Sequence, residues 1–258
     1  MKVVVLLGRV LDPRGIVVNR RRGRIFVNVE EYLVQPADRC ALEVALRIKE
    51  SIGAEVIALP RGPLPDDDVL RQALATGADR AIYLTADKPY DDGAWTQVLA
   101  AAVERLGGAD LILTGATTLD AGQGQLGPRL AEALGWPQIV GAWSAEVTDG
   151  RIRAVLHRGG ECVAVEADLP AVVTVQPGAV KPRYPDGVRL INVYRGVGEV
   201  AEALERWEVA DLVDVEALKP LLERRGRDFP PERERGVRLT GAIEEIARAA
   251  ADALRERL

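Results

Sequence analysis

The feature that most constrains this chain is the alternation, through its first half, of short unbroken apolar runs with amphipathic stretches of helical period. Residues 3–7, 55–59, 80–84 and 111–114 are rich in β-branched residues and leucine, as strands covered on both faces require. Between the first two runs, Pro36-Ala37-Asp38 opens a helix through about Glu50, with Leu42, Ala45, Leu46 and Ile48 as its apolar stripe and Gly53 as its stop. Asp66-Asp67-Asp68 places carboxylates at the start of the next helix, where the dipole favours them, and Gly77 closes it. A third helix spans 93–106. After the fourth run come a glycine-rich loop and a helix from near Gly124 to Leu134. This order predicts right-handed βαβ crossovers and an α/β fold: a mostly parallel sheet flanked by helices, three-layered and Rossmann-like.

Two segments break the alternation. Residues 16–18 and 25–27 form a predicted hairpin around Arg20-Arg21-Arg22-Gly23, where solvated charge is the simplest account of the arginines. Runs at 145–147, 151–156, 162–165 and 171–175 are joined by Asp149-Gly150 and Gly159-Gly160, and predict an antiparallel extension of the sheet. Beyond Gly178 core patterning weakens. Residues 181–235 are rich in charge, Pro and Gly, with a break at Pro230-Pro231. From Thr240 to Leu258 a last amphipathic helix aligns Ile243, Ile246, Ala247, Ala250 and Leu254. The organisation expected is a nucleotide-binding α/β domain over 1–180, including the antiparallel extension, a linking segment over 181–235 and a terminal helix over 236–258. A tail this long without its own core favours docking on another chain.

Composition narrows the function. A net charge of −5 over 258 residues argues against a general nucleic-acid binder. No apolar run approaches the roughly 20 residues that span a bilayer, and the first seven residues are too short for a signal peptide, so a cytoplasmic protein without membrane insertion is expected. Cys40 and Cys162 are far apart with no metal-ligand spacing, and His157 is the sole histidine. No metal site and no catalytic residue is therefore expected, and redox chemistry would come from a cofactor.

The informative loop is Gly115-Ala116-Thr117-Thr118-Leu119-Asp120-Ala121-Gly122-Gln123-Gly124-Gln125-Leu126. It leaves the carboxyl end of a buried strand and enters a helix, where open α/β folds bind ligands. Small residues let the backbone approach a phosphate, and free amides at the helix start supply donors. Neither GxGxxG nor a P-loop is present, so triphosphate hydrolysis is not indicated. Two further strand ends, Leu6-Leu7-Gly8 and Pro60-Arg61-Gly62, converge on the same edge. These residues together indicate nucleotide binding.

Several stretches in one order resemble the electron transfer flavoprotein beta subunit family, over nearly the whole chain. Gln35-Pro36-Ala37-Asp38, followed by Ala41-Leu42-Glu43-Val44-Ala45-Leu46-Arg47-Ile48-Lys49-Glu50, is similar to that family's Asn-Pro-Phe-x-x-x-Ala-Leu-Glu-Glu-Ala-Leu-Arg-Leu-Lys-Glu. Leu70-Arg71-Gln72-Ala73-Leu74-Ala75-Thr76-Gly77-Ala78-Asp79-Arg80-Ala81 resembles its Leu-Arg-x-Ala-Leu-Ala-Met-Gly-Ala-Asp-Arg-Ala. The Asp120 loop, Leu169-Pro170-Ala171-Val172-Val173-Thr174, Lys181-Pro182-Arg183-Tyr184-Pro185 and Pro230-Pro231-Glu232-Arg233 also resemble family segments.

The resemblance implies a heterodimer with an alpha subunit that holds most of an FAD, over which this chain closes. The pair would carry electrons from flavin dehydrogenases toward the quinone pool through a quinone reductase. It also implies a nucleotide of the chain's own, AMP, at Leu6, Gln35, Pro36, Ala37, Asp38, Arg61 and Gly115 through Leu126. There are departures: Gln35 and Ala37 replace Asn and Phe, Gly8 stands where lysine is common, and Ala121 and Gly122 replace frequent carboxylates. The segment 185–190 lacks the family's leucine anchor and lysine cluster in clear register. Two alternatives stand beside this reading: a second FAD in place of AMP, serving electron bifurcation, and a non-redox adenine-nucleotide module.

Overall fold

The protein is described by a computed structural model that covers residues 1–88, 90–219 and 236–255. It divides into two compact units, Met1–Glu223 and Arg224–Leu258. Pro230-Pro231 and the last three residues of the expected terminal helix lie outside the described residues.

In the first unit, β1 (Lys2–Leu7) is followed by two short ladders. One pairs β2 (Arg9–Leu11) with β5 (Tyr32–Val34), and the other is a hairpin of β3 (Ile16–Asn19) and β4 (Arg24–Val27). Then come α1 (Pro36–Ile52), β6 (Glu55–Pro60), α2 (Asp68–Thr76), β7 (Arg80–Thr85), α3 (Asp92–Arg105), β8 (Leu111–Gly115) and α4 (Leu126–Leu134). The strands β9 (Gln138–Thr148), β10 (Arg151–Arg158), β11 (Glu161–Asp168) and β12 (Ala171–Val175) precede α5 (Gly187–Arg195), α6 (Glu199–Glu202) and β13 (Leu204–Glu208). Among the described residues the main sheet has nine strands, in the order β11-β10-β9-β12-β8-β1-β6-β7-β13.

The expected α/β architecture is present. β1 runs parallel to β6 and β8, and α1 ends at Gly53 in the left-handed conformation. Two apolar cores cover the two faces. Val3, Val5 and Leu7 pack with α1 and α2, while Val4 and Leu6 pack with α3 and α4. All five are fully buried, and each contributes about 1.5–3 kcal/mol of transfer free energy.

Four expectations are corrected. Residues 171–175 do not belong to the antiparallel extension: β12 lies between β8 and β9 and is parallel to both. All five of its residues are buried, the pattern of a central parallel strand, whereas β10 alternates. The antiparallel part is β9-β10-β11 alone. Helix α4 begins at Leu126, so the preceding loop is longer than its glycines suggested. The chain beyond Gly178 retains regular elements, and β13 adds a parallel edge strand beside β7. Finally, the Asp66–Asp68 triplet does more than face a helix dipole. Asp66 pairs with Arg9, Asp67 with Arg71 and Arg206, and Asp68 accepts from Tyr194, so the start of α2 holds β2, α5 and β13.

The described part of the second unit contains α7 (Ile243–Arg255), where an amphipathic helix was expected, with Ile243 and Leu254 exposed. Among the described residues no helix is long and apolar enough to cross a membrane.

Candidate functional site

At the carboxyl edge of the parallel strands, one buried carboxylate gathers the chain ends. Asp38, in the first turn of α1, is fully buried. Its Oδ2 accepts from the amide of Gly8, just past β1, at 2.8 Å. Its Oδ1 accepts from the amide of Gly115, at the end of β8, at 2.8 Å, and from Arg61 Nη1 at 2.8 Å. Arg61 follows β6 directly. Its own amide donates to Leu7 O at 2.8 Å, and Nη1 also donates to Gly115 O at 3.0 Å. The ends of β1, β6 and β8 are thus tied through Asp38 and Arg61.

Burial pushes the Asp38 carboxyl above the usual carboxylate range, while Arg61 and the Gly115 and Gly8 amides pull it down. Desolvating such a pair costs several kcal/mol per ion, and hydrogen bonds to its remaining lone pairs offset that cost. The glycines here lie against this cluster, and Gly115 is dictated by it. A Cβ at Gly115 would meet Asp38 Oδ1 at 2.4 Å and Ala37 Cβ at 2.6 Å. At Gly8 it would lie 3.3 Å from both Asp38 Oδ2 and Arg61 Cδ, a tight approach that needs these side chains to yield by a few tenths of an ångström.

The loop from Gly115 to Leu126 is organised from the same helix end. Gln35, buried just before α1, accepts from the amide of Leu119 through Oε1 at 3.0 Å, and its Nε2 donates to Asp120 Oδ1 at 3.4 Å. Asp120 Oδ1 also accepts from the amide of Ala121, and the Thr118 hydroxyl from that of Gln123. Gly124 packs on the loop's own backbone, since a Cβ there would come within 2.6 Å of Ala116 O. Gly122, in the left-handed conformation, has open space around it.

The sequence-derived site residues divide into three sets. Gln35, Asp38, Arg61, Gly115, Leu119, Asp120 and Ala121 are joined by the hydrogen bonds above; Pro36 and Ala37 form the helix start, with Ala37 against Gly115. Thr117, Thr118, Gly122, Gln123, Gly124 and Gln125 line the loop with half or fully exposed residues, while Ala116 and Leu126 are buried at its two ends. Leu6 is the outlier: its side chain lies in the core shared with α3 and α4, so only its main chain is near the edge. Sequence reasoning placed Gly8 at this edge without giving it a contact, and omitted Thr114, Gly127 and Thr174. Arg61 Nη1 lies 3.4 Å from Thr114 Oγ1, and a Cβ at Gly127 would meet Thr174 Cγ2 at 2.4 Å. A polar threonine ending each of two apolar runs was the available signal.

Helix α4 begins without a side-chain cap. Its first-turn amides have no intrahelical acceptor. Among the described residues the amides of Gly124 and Gln125 also donate to no protein oxygen. Uncapped donors, small residues and positive helix-end potential form an edge suited to an anion such as a phosphate.

Comparison with known proteins agrees with this architecture. Residues 24–212 match the electron transfer flavoprotein domain. The electron transfer flavoprotein subunit beta of Bacillus subtilis (strain 168) is 30% identical over 258 residues, covering 99% of this chain and 98% of its own. The chain belongs to the electron transfer flavoprotein family, as a beta-type subunit. Two further relatives of this family match over 100% of the chain and 99% of their own length. These are the acryloyl-CoA reductase electron transfer subunit gamma of Anaerotignum propionicum, at 30% identity, and the caffeyl-CoA reductase-Etf complex subunit CarD of Acetobacterium woodii, at 29%.

Proposed function

We propose that this chain is the beta subunit of a heterodimeric electron transfer flavoprotein that binds AMP at the Asp38 edge. In this reading it completes the FAD site of an alpha subunit and helps pass electrons from flavin dehydrogenases toward the quinone pool. The observation that carries the proposal is the convergence of Gln35–Asp38, Arg61 and the 115–126 loop on one strand edge, next to an uncapped helix, in a chain of this family.

The reading assigns the phosphate of AMP to the free amides of Gly124, Gln125 and the start of α4, with Thr117 and Thr118 beside them. Gln35, Pro36 and Ala37 close the base and ribose side, and the Asp38–Arg61 pair holds the floor. FAD, when bound, supplies the redox chemistry. This chain's residues orient it and exclude water, and none acts as acid, base or nucleophile. The stretch from Tyr184 through α5 exposes Tyr184, Val188 and Ile191, which suits transient docking of a dehydrogenase. In the second unit α7 offers an apolar stripe to the partner subunit.

Two relatives named for reductases of CoA esters favour a second reading, in which the same site holds FAD and the subunit serves a reductase complex. The electron-carrying role is tested by mixing the flavin-loaded heterodimer with substrate-reduced flavin dehydrogenases and following the flavin's visible absorbance. Catalytic bleaching is expected. A heterodimer that a chemical reductant bleaches but no dehydrogenase does would contradict transfer from dehydrogenases, and one that carries no flavin would leave a non-redox nucleotide module as the better account.

A further inference from the structure

The carboxyl edge is also where the connections of the sheet part. From β1 the chain enters α1, on one face, and from neighbouring β8 it enters α4, on the other. Open α/β sheets bind ligands in the crevice at such a switch point. Arg61 lies across its floor. It follows β6, yet its guanidinium reaches past the end of β1 to Gly115 O, at the end of β8. Only one corner of that guanidinium is used: Nη1 makes all of its contacts, to Asp38 Oδ1, Gly115 O and Thr114 Oγ1. Nε and Nη2 meet no acceptor among the described residues, although the side chain is only 9% exposed, and neither atom is sealed from solvent.

The unused edge is the one that matters for an anion. Nε–H and one Nη2–H point the same way, the fork that takes two oxygens of a phosphate or carboxylate. The counter-charge faces inward, because Asp38 is fully buried and both its oxygens accept, so the pair turns its cationic end to the crevice. A second carboxylate on this edge, Asp120, accepts through Oδ1 from the Ala121 amide and Gln35 Nε2. Gly115 O, which holds Arg61, and Ala116 O, against which Gly124 packs, are adjacent carbonyls, so the fork and the free loop amides border one stretch of chain. We infer that the Nε–Nη2 edge of Arg61 takes the phosphate group of the nucleotide beside the Gly124 and Gln125 amides, and makes this site select nucleoside phosphates over nucleosides. The inference rests on the nucleotide reading above. Arg61 then touches the ligand, and Asp38 is the positioning residue that aims it.

The test measures AMP and adenosine binding by calorimetry to the full-length chain co-purified with its alpha partner, after resident nucleotide has been dialysed away. Wild type is compared with Arg61→Met and Arg61→Lys. The wild type is expected to bind AMP more tightly than adenosine. Each variant is expected to lose AMP affinity by roughly tenfold or more, with adenosine affinity unchanged. Arg61→Met leaves Asp38 buried without its counter-charge; should that variant fail to fold, Arg61→Lys carries the test. Its ammonium keeps a charge for Asp38 but has no second edge for a phosphate. Equal losses of AMP and adenosine would reduce Arg61 to a structural support and overturn the inference, as would wild-type AMP affinity in the variants or equal wild-type affinity for the two ligands. A wild-type protein that binds neither would overturn the nucleotide reading as well.

Discussion

Asp38 does more than its position in a helix first turn announces. A carboxylate there reads from sequence as a favourable dipole partner, worth a few tenths of a kcal/mol at a surface. In the fold it is buried and receives donors from three strand ends, so its removal is a different event. Asp38→Asn leaves the Arg61 guanidinium without its counter-charge and turns one acceptor into a donor facing donors. The expected loss is about 3 kcal/mol, seen as a lower urea midpoint with an unchanged slope. A wild-type midpoint would mean that the strand ends are held by other contacts. The loop's glycines were legible because small residues after a buried strand have a direct steric meaning. The hub was not, because it exists only once the ends of β1, β6 and β8 lie side by side.

Between elements, the segment after β12 is fastened to α1 by Arg183. Its guanidinium donates to Glu43 at 2.8 and 3.1 Å, and it also pairs with Glu50. Glu43 is buried. Burial raises its carboxyl, but hydrogen bonds from Arg183 and Arg47 outweigh that and hold it below the usual range. A carboxylate lowered by folding stabilises the protein above its unfolded pKa of about 4.3, and that contribution is lost as pH falls through the lower folded value. Arg183→Met is therefore expected to cost roughly 2 kcal/mol at pH 7. It should also flatten the fall in stability from about pH 5 downward in denaturant titrations. Parallel midpoint curves for variant and wild type would remove the latch. At this scale legibility follows burial. The central strands announce themselves as continuous apolar runs, and helix ends as glycines. β12 was misplaced because its neighbours in sequence are antiparallel while its neighbours in space are not. β13, Leu-Glu-Arg-Trp-Glu, is a half-exposed edge strand and carries no apolar run to betray it.

Over the whole molecule, a parallel sheet brings its loops to one edge, and the chain places there a loop with free amides, an uncapped helix and a buried ion pair that fixes the floor. From the same edge springs the β3-β4 hairpin, with exposed aliphatic side chains and arginines at its tip. In a chain of the electron transfer flavoprotein family, that arrangement is what the proposed nucleotide site rests on. The direct measurement is the nucleotide content of the heterodimer purified with its alpha subunit, released by denaturation and identified by mass. One FAD and one AMP per heterodimer is the predicted result, with AMP lost and FAD retained in Gln125→Pro, which removes a loop amide. A heterodimer that carries FAD but no second nucleotide would contradict the assignment of the Asp38 edge as a nucleotide site.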